Sequence, residues 1–185
     1  MEQGQELLIG GVGGWGIVTM GEMIAKAALQ QYKQVTWFPS YAGMMRGGEN
    51  ECCVIFSDKE IPSPIIYRSG TVIVLGAWRI KAFEDRVRPQ GLMLIELSGV
   101  EEEHKVKRTD IRVEYVPAME TAVQLGDLRN ANLVMLGAYI KMSQALQPQL
   151  ILDEIGRRFR DRGSAEEKIS AGKEAFLKGM SLAAS

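Results

Sequence analysis

What is scarce in this sequence narrows its chemistry before any motif is read. Cysteine occurs twice and histidine once in 185 residues. The two cysteines, Cys52 and Cys53, are neighbours in "ECCVIFS". On a strand their side chains point to opposite faces, so they do not readily bridge each other or share a metal. Two thiols also fall short of the roughly four that an iron–sulfur cluster takes. They read as small buried hydrophobes in a reducing compartment. The single histidine, His104, lies in the charged stretch "EEEHKVKR" and reads as solvated, not as a catalytic base. Net charge is almost absent too. Twenty-two basic residues face 23 acidic ones, for a formal charge of -1, which builds in no general attraction to nucleic acid or to an anionic membrane. No apolar run approaches the length of a membrane span, and "MEQGQELL" carries acids where a secretory leader would carry a basic region. The expectation is a soluble cytoplasmic protein that holds no metal and supplies no catalytic residue of its own.

What the chain does have is 46% hydrophobic residues and 20 glycines, a composition suited to one domain over residues 1–185 with a sizeable core. "ELLIGG" predicts a buried strand. A helix follows in which Ile17, Met20, Ile24, Ala27 and Ala28 share one face. "QVTWFPS" and "NECCVIFS" predict the next strands, and "TVIVLG" has the unalternating β-branched run of a central parallel strand. "AWRIKAFEDRV" reads as helix, "GLMLIEL" and "RVEYVPA" as strands, and "METAVQLG" and "NANLVMLGAYIKMSQAL" as helices. Asn130 or Asn132 caps the last of these and Pro148 marks its end. The alternation predicts an α/β fold: a Rossmann-like open, mostly parallel sheet flanked by helices in three α/β/α layers. Residues 157–185 form a polar helical tail whose narrow apolar stripe, with Ile169, Phe176 and Met180, either closes the domain's own sheet or docks on another subunit.

The functional question centres on "GGVGGWG", residues 10–16. Gly11, Gly13 and Gly16 satisfy G-x-G-x-x-G in the context of strand before and helix after, the setting in which the motif binds dinucleotides. That use also requires an acid near the end of the second strand, where the sequence has Phe38, Pro39 and Ser40. The more general physics still holds: glycine lets backbone amides approach an anion, and the helix start near Gly16 offers unpaired N–H groups. A plain tight turn is the other reading. Trp15 either caps a ligand ring or anchors an interface. A second glycine-bearing loop, "PSYAGMMRGG", follows the second strand and would emerge at the same carboxyl edge. Its candidate binding residues are Ser40, Tyr41, Arg46, Gly47 and Gly48. Arg46 either reaches a phosphate or carboxylate or pairs with Glu49 or Glu51.

At these loops the sequence resembles the gamma subunit, or gamma domain, of the 2-oxoacid:ferredoxin oxidoreductases. The family's first loop commonly reads G-G-x-G-G-Q-G and its second P-S-Y-G-x-E-x-R-G-G. The similarity continues through "SDKEIPSPII" and "VPAMETAVQLGDLRNANLVMLGA", and weakly into "EAFLKG". Trp15 stands where the family usually has glutamine, Ala42 where it has glycine, Met44 where glutamate is frequent, and Gly172 where asparagine is frequent. The resemblance implies a heteromeric enzyme that oxidatively decarboxylates a 2-oxoacid, forms an acyl-CoA and passes two electrons to ferredoxin. It leans toward 2-oxoglutarate or a branched-chain 2-oxoacid over pyruvate. Thiamine diphosphate and iron–sulfur clusters would belong to alpha, beta and ferredoxin-like delta partners, and this chain would be a scaffold lining the CoA route. Gly11, Gly13, Gly14 and Gly16 would supply amides and Arg46 charge, and the isolated chain could pair as a homodimer. A stand-alone nucleotide-binding dehydrogenase and a purely structural interaction module are the competing classes.

Overall fold

In the computed structural model, residues 4–41 and 49–183 are described. Their strands are β1 (Gly4–Val12), β2 (Gln34–Tyr41), β3 (Glu49–Ser57), β4 (Ser69–Leu75), β5 (Val87–Glu96) and β6 (Arg112–Val116). The helices are α1 (Ile17–Ala28), α2 (Ile80–Glu84), α3 (Ala118–Gln124), α4 (Ala131–Ser143), α5 (Pro148–Asp161) and α6 (Glu166–Leu182). The sheet order is β2-β3-β1-β4-β5-β6. β1, β4, β5 and β6 run parallel, whereas β3 lies antiparallel to both of its neighbours. β2 therefore points the same way as β1 but is separated from it by β3. The expected open, mostly parallel α/β sheet is present, with an antiparallel strand inserted near one edge.

The two faces are covered unequally. On one, Leu7, Ile9, Val54, Phe56, Ile73 and Leu94 pack under α1, α3, α4, α5 and α6. On the other, Leu8, Ile55, Val72, Val74 and Ile95 are covered by Ile80 and Phe83 of the short α2 and by loop residues such as Ile61, Ile66 and Val106. The segment expected as one helix, "AWRIKAFEDRV", is a 3-10 turn over Ala77–Arg79 followed by only five helical residues. Glu96, fully buried at the end of β5, joins the sheet to α3: it accepts hydrogen bonds from Ser98 N and Oγ (3.0 and 2.9 Å) and from Met119 N (3.2 Å) in the first turn of that helix.

α4 is buried over every residue from Ala131 to Ile140. One side meets the sheet and the other meets α6, where a Cβ added at Gly137 would lie 2.0 Å from Phe176 O and one at Gly179 would lie 2.0 Å from Val134 O. The two helices thus touch backbone to backbone, and the α6 segment of the tail packs on α4 of its own chain. Pro148 has a different role from the expected one. α4 ends at Ser143 with Gln144 in the left-handed region (φ 50), and Pro148 opens α5 at its first turn, where a missing N–H costs nothing.

Gly179→Ala is expected to destabilise the chain by about 1–3 kcal/mol, because the added methyl meets a backbone oxygen that cannot swing aside. That outweighs the roughly 1 kcal/mol that alanine gains in a helix interior and lowers Tm by about 2–4 °C per kcal/mol. Gly70→Ala, with open space around it, should leave the stability within about 0.5 kcal/mol of the parent. Equal melting curves for the two variants would contradict the close crossing.

Candidate functional site

The glycine loop divides into two parts. Gly10 and Gly11 belong to β1, not to the loop, and each is small for packing. A Cβ at Gly10 would fall 2.0 Å from the Phe83 ring, and one at Gly11 would fall 2.3 Å from Leu75 O and 2.4 Å from Ile17 Cδ1. The turn itself is Gly13–Gly16, closed by Trp15 N donating to Val12 O (3.3 Å), with Gly14 and Gly16 at φ 101 and 75. Side chains other than glycine rarely adopt these angles. Gly16 is the N-cap of α1, which has no side-chain cap and no acid in its first turn. Its leading N–H groups and positive dipole end are left for whatever lies in front of them.

β1 and β2 finish against the same end of β3: Val12 opposes Glu49 and Tyr41 opposes Asn50. The glycine turn and the segment after Tyr41 therefore leave the same carboxyl edge, one intervening strand or about 10 Å apart. Ser40 is exposed on β2 and Tyr41 is its last residue. Arg46, Gly47 and Gly48 lie outside the described residues. Glu51, one of the alternative partners considered for Arg46, already accepts a two-bond fork from Arg86 at 2.6 and 2.7 Å. The inserted β3 also bears on the dinucleotide reading. A ribose-binding acid would come from a strand adjacent to β1, and here the end of β2 is displaced from β1 by a full strand.

Two surfaces flank the turn. On the sheet edge, where chain order switches from β3 on one side of β1 to β4 on the other, Trp15 (37% exposed) and Trp78 (51% exposed) both approach Gly76. On the helical side, a cleft of about 370 Å³ runs from Gly14 and Gly16 to the start of α4 and on to the α5–α6 connection. Asn132 of α4 donates from Nδ2 to Gly16 O at 3.3 Å, linking the turn to the central helix. Of the two asparagines expected as the cap of this helix, Asn130 takes the N-cap position without a side-chain capping bond, and Asn132 turns onto the glycine turn. The cleft's cations, Arg129, Arg158, Arg162 and Lys168, were missed in the sequence because they lie more than 100 residues from the glycines. Arg158 donates to Glu22 and to Thr19 Oγ1 (3.0 Å). The Glu22 carboxyl is held below its ordinary range, first by its bond to Lys26 and also by Arg158. Arg129 grips Asp127 at 2.7 and 2.8 Å. That bond, with Lys168 acting through space, holds the Asp127 carboxyl low.

Cys52 and Cys53 face opposite sides of the sheet, as the strand alternation required, and both are buried free thiols. Burial pushes Cys52 up to about 12, with repulsion from Cys53 and Glu51 adding to it, and burial pushes Cys53 up to about 11. Among the described residues no group of three or more His, Cys, Asp or Glu could hold a metal ion, and no helix is long and apolar enough to cross a membrane.

With this geometry in view, the comparisons place the chain. Residues 6–182 match the family model described as pyruvate ferredoxin/flavodoxin oxidoreductase, and the chain belongs to that family. The chain is 31% identical over 134 residues to the ketoisovalerate oxidoreductase subunit VorA of Methanothermobacter thermautotrophicus, covering 72% of this chain but 27% of that one. It thus spans about a quarter of the length of that relative. It is 26% identical to the 2-oxoglutarate synthase subunit KorC of Methanocaldococcus jannaschii, over 97% of this chain and 94% of the relative. Two solved structures share the fold. The 2-oxoglutarate:ferredoxin oxidoreductase from Magnetococcus marinus, with 2-oxoglutarate, coenzyme A and succinyl-CoA bound, superposes at TM-score 0.88, with 21% identity and coverage of 99% of this chain and 31% of that one. The pyruvate oxidoreductase subunit PORC from Thermotoga maritima does so at 0.82, with 23% identity and coverage of 98% and 97%.

Neither thiol should react with iodoacetamide at pH 8 while the chain is folded, and both should react once denaturant exposes them. The same shifts carry a sign for stability. The folded pKa values lie above the ordinary 9.0, so the thiols' contribution is constant below pH 9 and is lost as pH rises from there toward 11. Rapid alkylation of native protein would contradict the burial described.

Proposed function

We propose that this chain is the gamma subunit of a heteromeric, cytoplasmic 2-oxoacid:ferredoxin oxidoreductase. The complex oxidatively decarboxylates a 2-oxoacid, joins the acyl group to CoA as a thioester, and passes two electrons to ferredoxin. The observation that carries the reading is the nearly end-to-end similarity to a subunit-sized relative, KorC. The family match over residues 6–182 supports it. In this reading thiamine diphosphate and the iron–sulfur clusters are held by alpha, beta and delta partners, and this chain is scaffold and a wall of the CoA route.

The residues fit an anionic ligand at that wall. Gly13, Gly14 and Gly16 leave three of the four turn positions without side chains in front of the start of α1, which has no side-chain cap. Ser40 and Tyr41 stand at the end of β2, one strand removed from β1, and Arg46, Gly47 and Gly48 follow them in the sequence. Gly11 contributes by packing β1 against β4 and α1 and so fixing where the turn begins. CoA carries phosphates for these amides and for the Arg46 guanidinium. Trp15 and Trp78, exposed beside Gly76 at the sheet edge, suit a contact with a partner chain.

In a reconstituted complex, Arg46→Ala is expected to raise the KM for CoA about tenfold, the cost of one charge-assisted contact, while the KM for the 2-oxoacid stays as it was. Gly13→Val should impair assembly or thioester formation. Wild-type CoA kinetics and normal assembly in both variants would remove the two loops from the CoA route.

A further inference from the structure

The glycine turn is held at both ends, and one of the two holds comes from the far half of the chain. Trp15 N closes on Val12 O at 3.3 Å, and Asn132 Nδ2 donates to Gly16 O at 3.3 Å. Asn132 is the second residue of α4 and is 6% exposed, in a helix buried at every position from Ala131 to Ile140. An amide in such a place is unfavourable unless it is hydrogen-bonded. Gly16 O does not need the bond for its own sake, because it already accepts Met20 N at 2.8 Å as the first bond of α1. A carbonyl oxygen has a second lone pair, and Asn132 takes it. What this second bond adds is location. A Cβ at Gly16 would lie 2.4 Å from Asn132 Nδ2, so the amide rests against the Gly16 backbone itself. Gly16 is barred from carrying a side chain by that contact as well as by its φ of 75.

Gly13, Gly14 and Gly16 give the turn wide backbone freedom. A Cβ at Gly14 would meet nothing within 4 Å, so no neighbouring side chain confines that residue. Amides that are to bind a ligand must be aimed before it arrives, since ordering them on binding is subtracted from affinity. α4 can supply the aim, because the sheet on one side and α6 on the other fix it in place. We propose that Asn132 is a positioning residue: acting through Gly16, it ties the glycine turn to the buried core and so sets the direction of the turn's amides and the affinity for CoA. This role rests on the CoA reading of the turn.

Two variants test it. Asn132→Ala removes the donor, and Asn132→Leu removes it while keeping a branched side chain in its place. Both should fold, with Tm lower by about 2–4 °C. In amide hydrogen exchange of the full chain, residues 13–19 should exchange about fivefold faster than in the parent, with α4 and α6 unchanged. In the reconstituted complex the KM for CoA should rise about five- to tenfold, while kcat and the KM for the 2-oxoacid stay as they were. Exchange unchanged in the turn, or raised alike in α4 and α6, overturns the proposal, since the bond would then be dispensable or merely structural. Exchange raised in the turn with the KM for CoA unchanged also overturns it, and Gly13→Val then shows which part failed. If that variant impairs thioester formation, the turn serves CoA without needing Asn132. If it too leaves CoA kinetics alone, the CoA reading of the turn falls.

Discussion

α4 is apolar around its whole circumference, and a helix of that kind must be covered on every side. The sheet covers one side. The opposite side is reached by α6 only because Gly137 and Gly179 let the two backbones touch. From this crossing follow the positions of α5, which is tied to α6 through a short connection, and of the α4 N-terminus, whose Asn132 holds the glycine turn through Gly16 O. A methyl group at the crossing would therefore act far from where it is added. It would separate the α5–α6 cations from the turn that they face across the cleft.

Much of this was legible in the sequence because it depends on local patterns. The buried run "TVIVLG", the apolar face of α1 and the strand-glycine-helix order are each specified by a continuous stretch of sequence. The insertion of β3 between β1 and β2 was not legible, since hydrophobic alternation gives a strand's faces but not its neighbours. Pro148 was assigned to the wrong side of its turn because proline both follows helices and begins them. Gly10 and Gly11 looked like loop because their reasons for being glycine, the Phe83 ring and the Leu75 carbonyl, lie far along the chain.

The site was legible in half. Its glycine turn and second loop announce themselves by composition, and the family match covers both. The opposing wall is built from charged residues of α5 and α6 that a sequence reading assigns to solvent, because surface helices carry such residues routinely. Arg162 and Lys168 line the same cleft as Gly14 and Gly16, from which they are separated by more than 140 residues of sequence. Trp15 sits beside Gly76 with Trp78 and is not among the residues lining the helical cleft.

The sheet order has a consequence for synthesis. β1 emerges first from a ribosome, and both of its neighbours, β3 and β4, are complete by Leu75. The four strands at that end of the sheet can pair before the rest of the chain exists. Their helical face cannot. α1 covers the β3 side of that face early, whereas the rest of its cover comes from α3 to α6, beyond Ala118. A nascent chain stalled before α4 therefore presents a paired sheet with part of one apolar face bare, the kind of surface that chaperones bind.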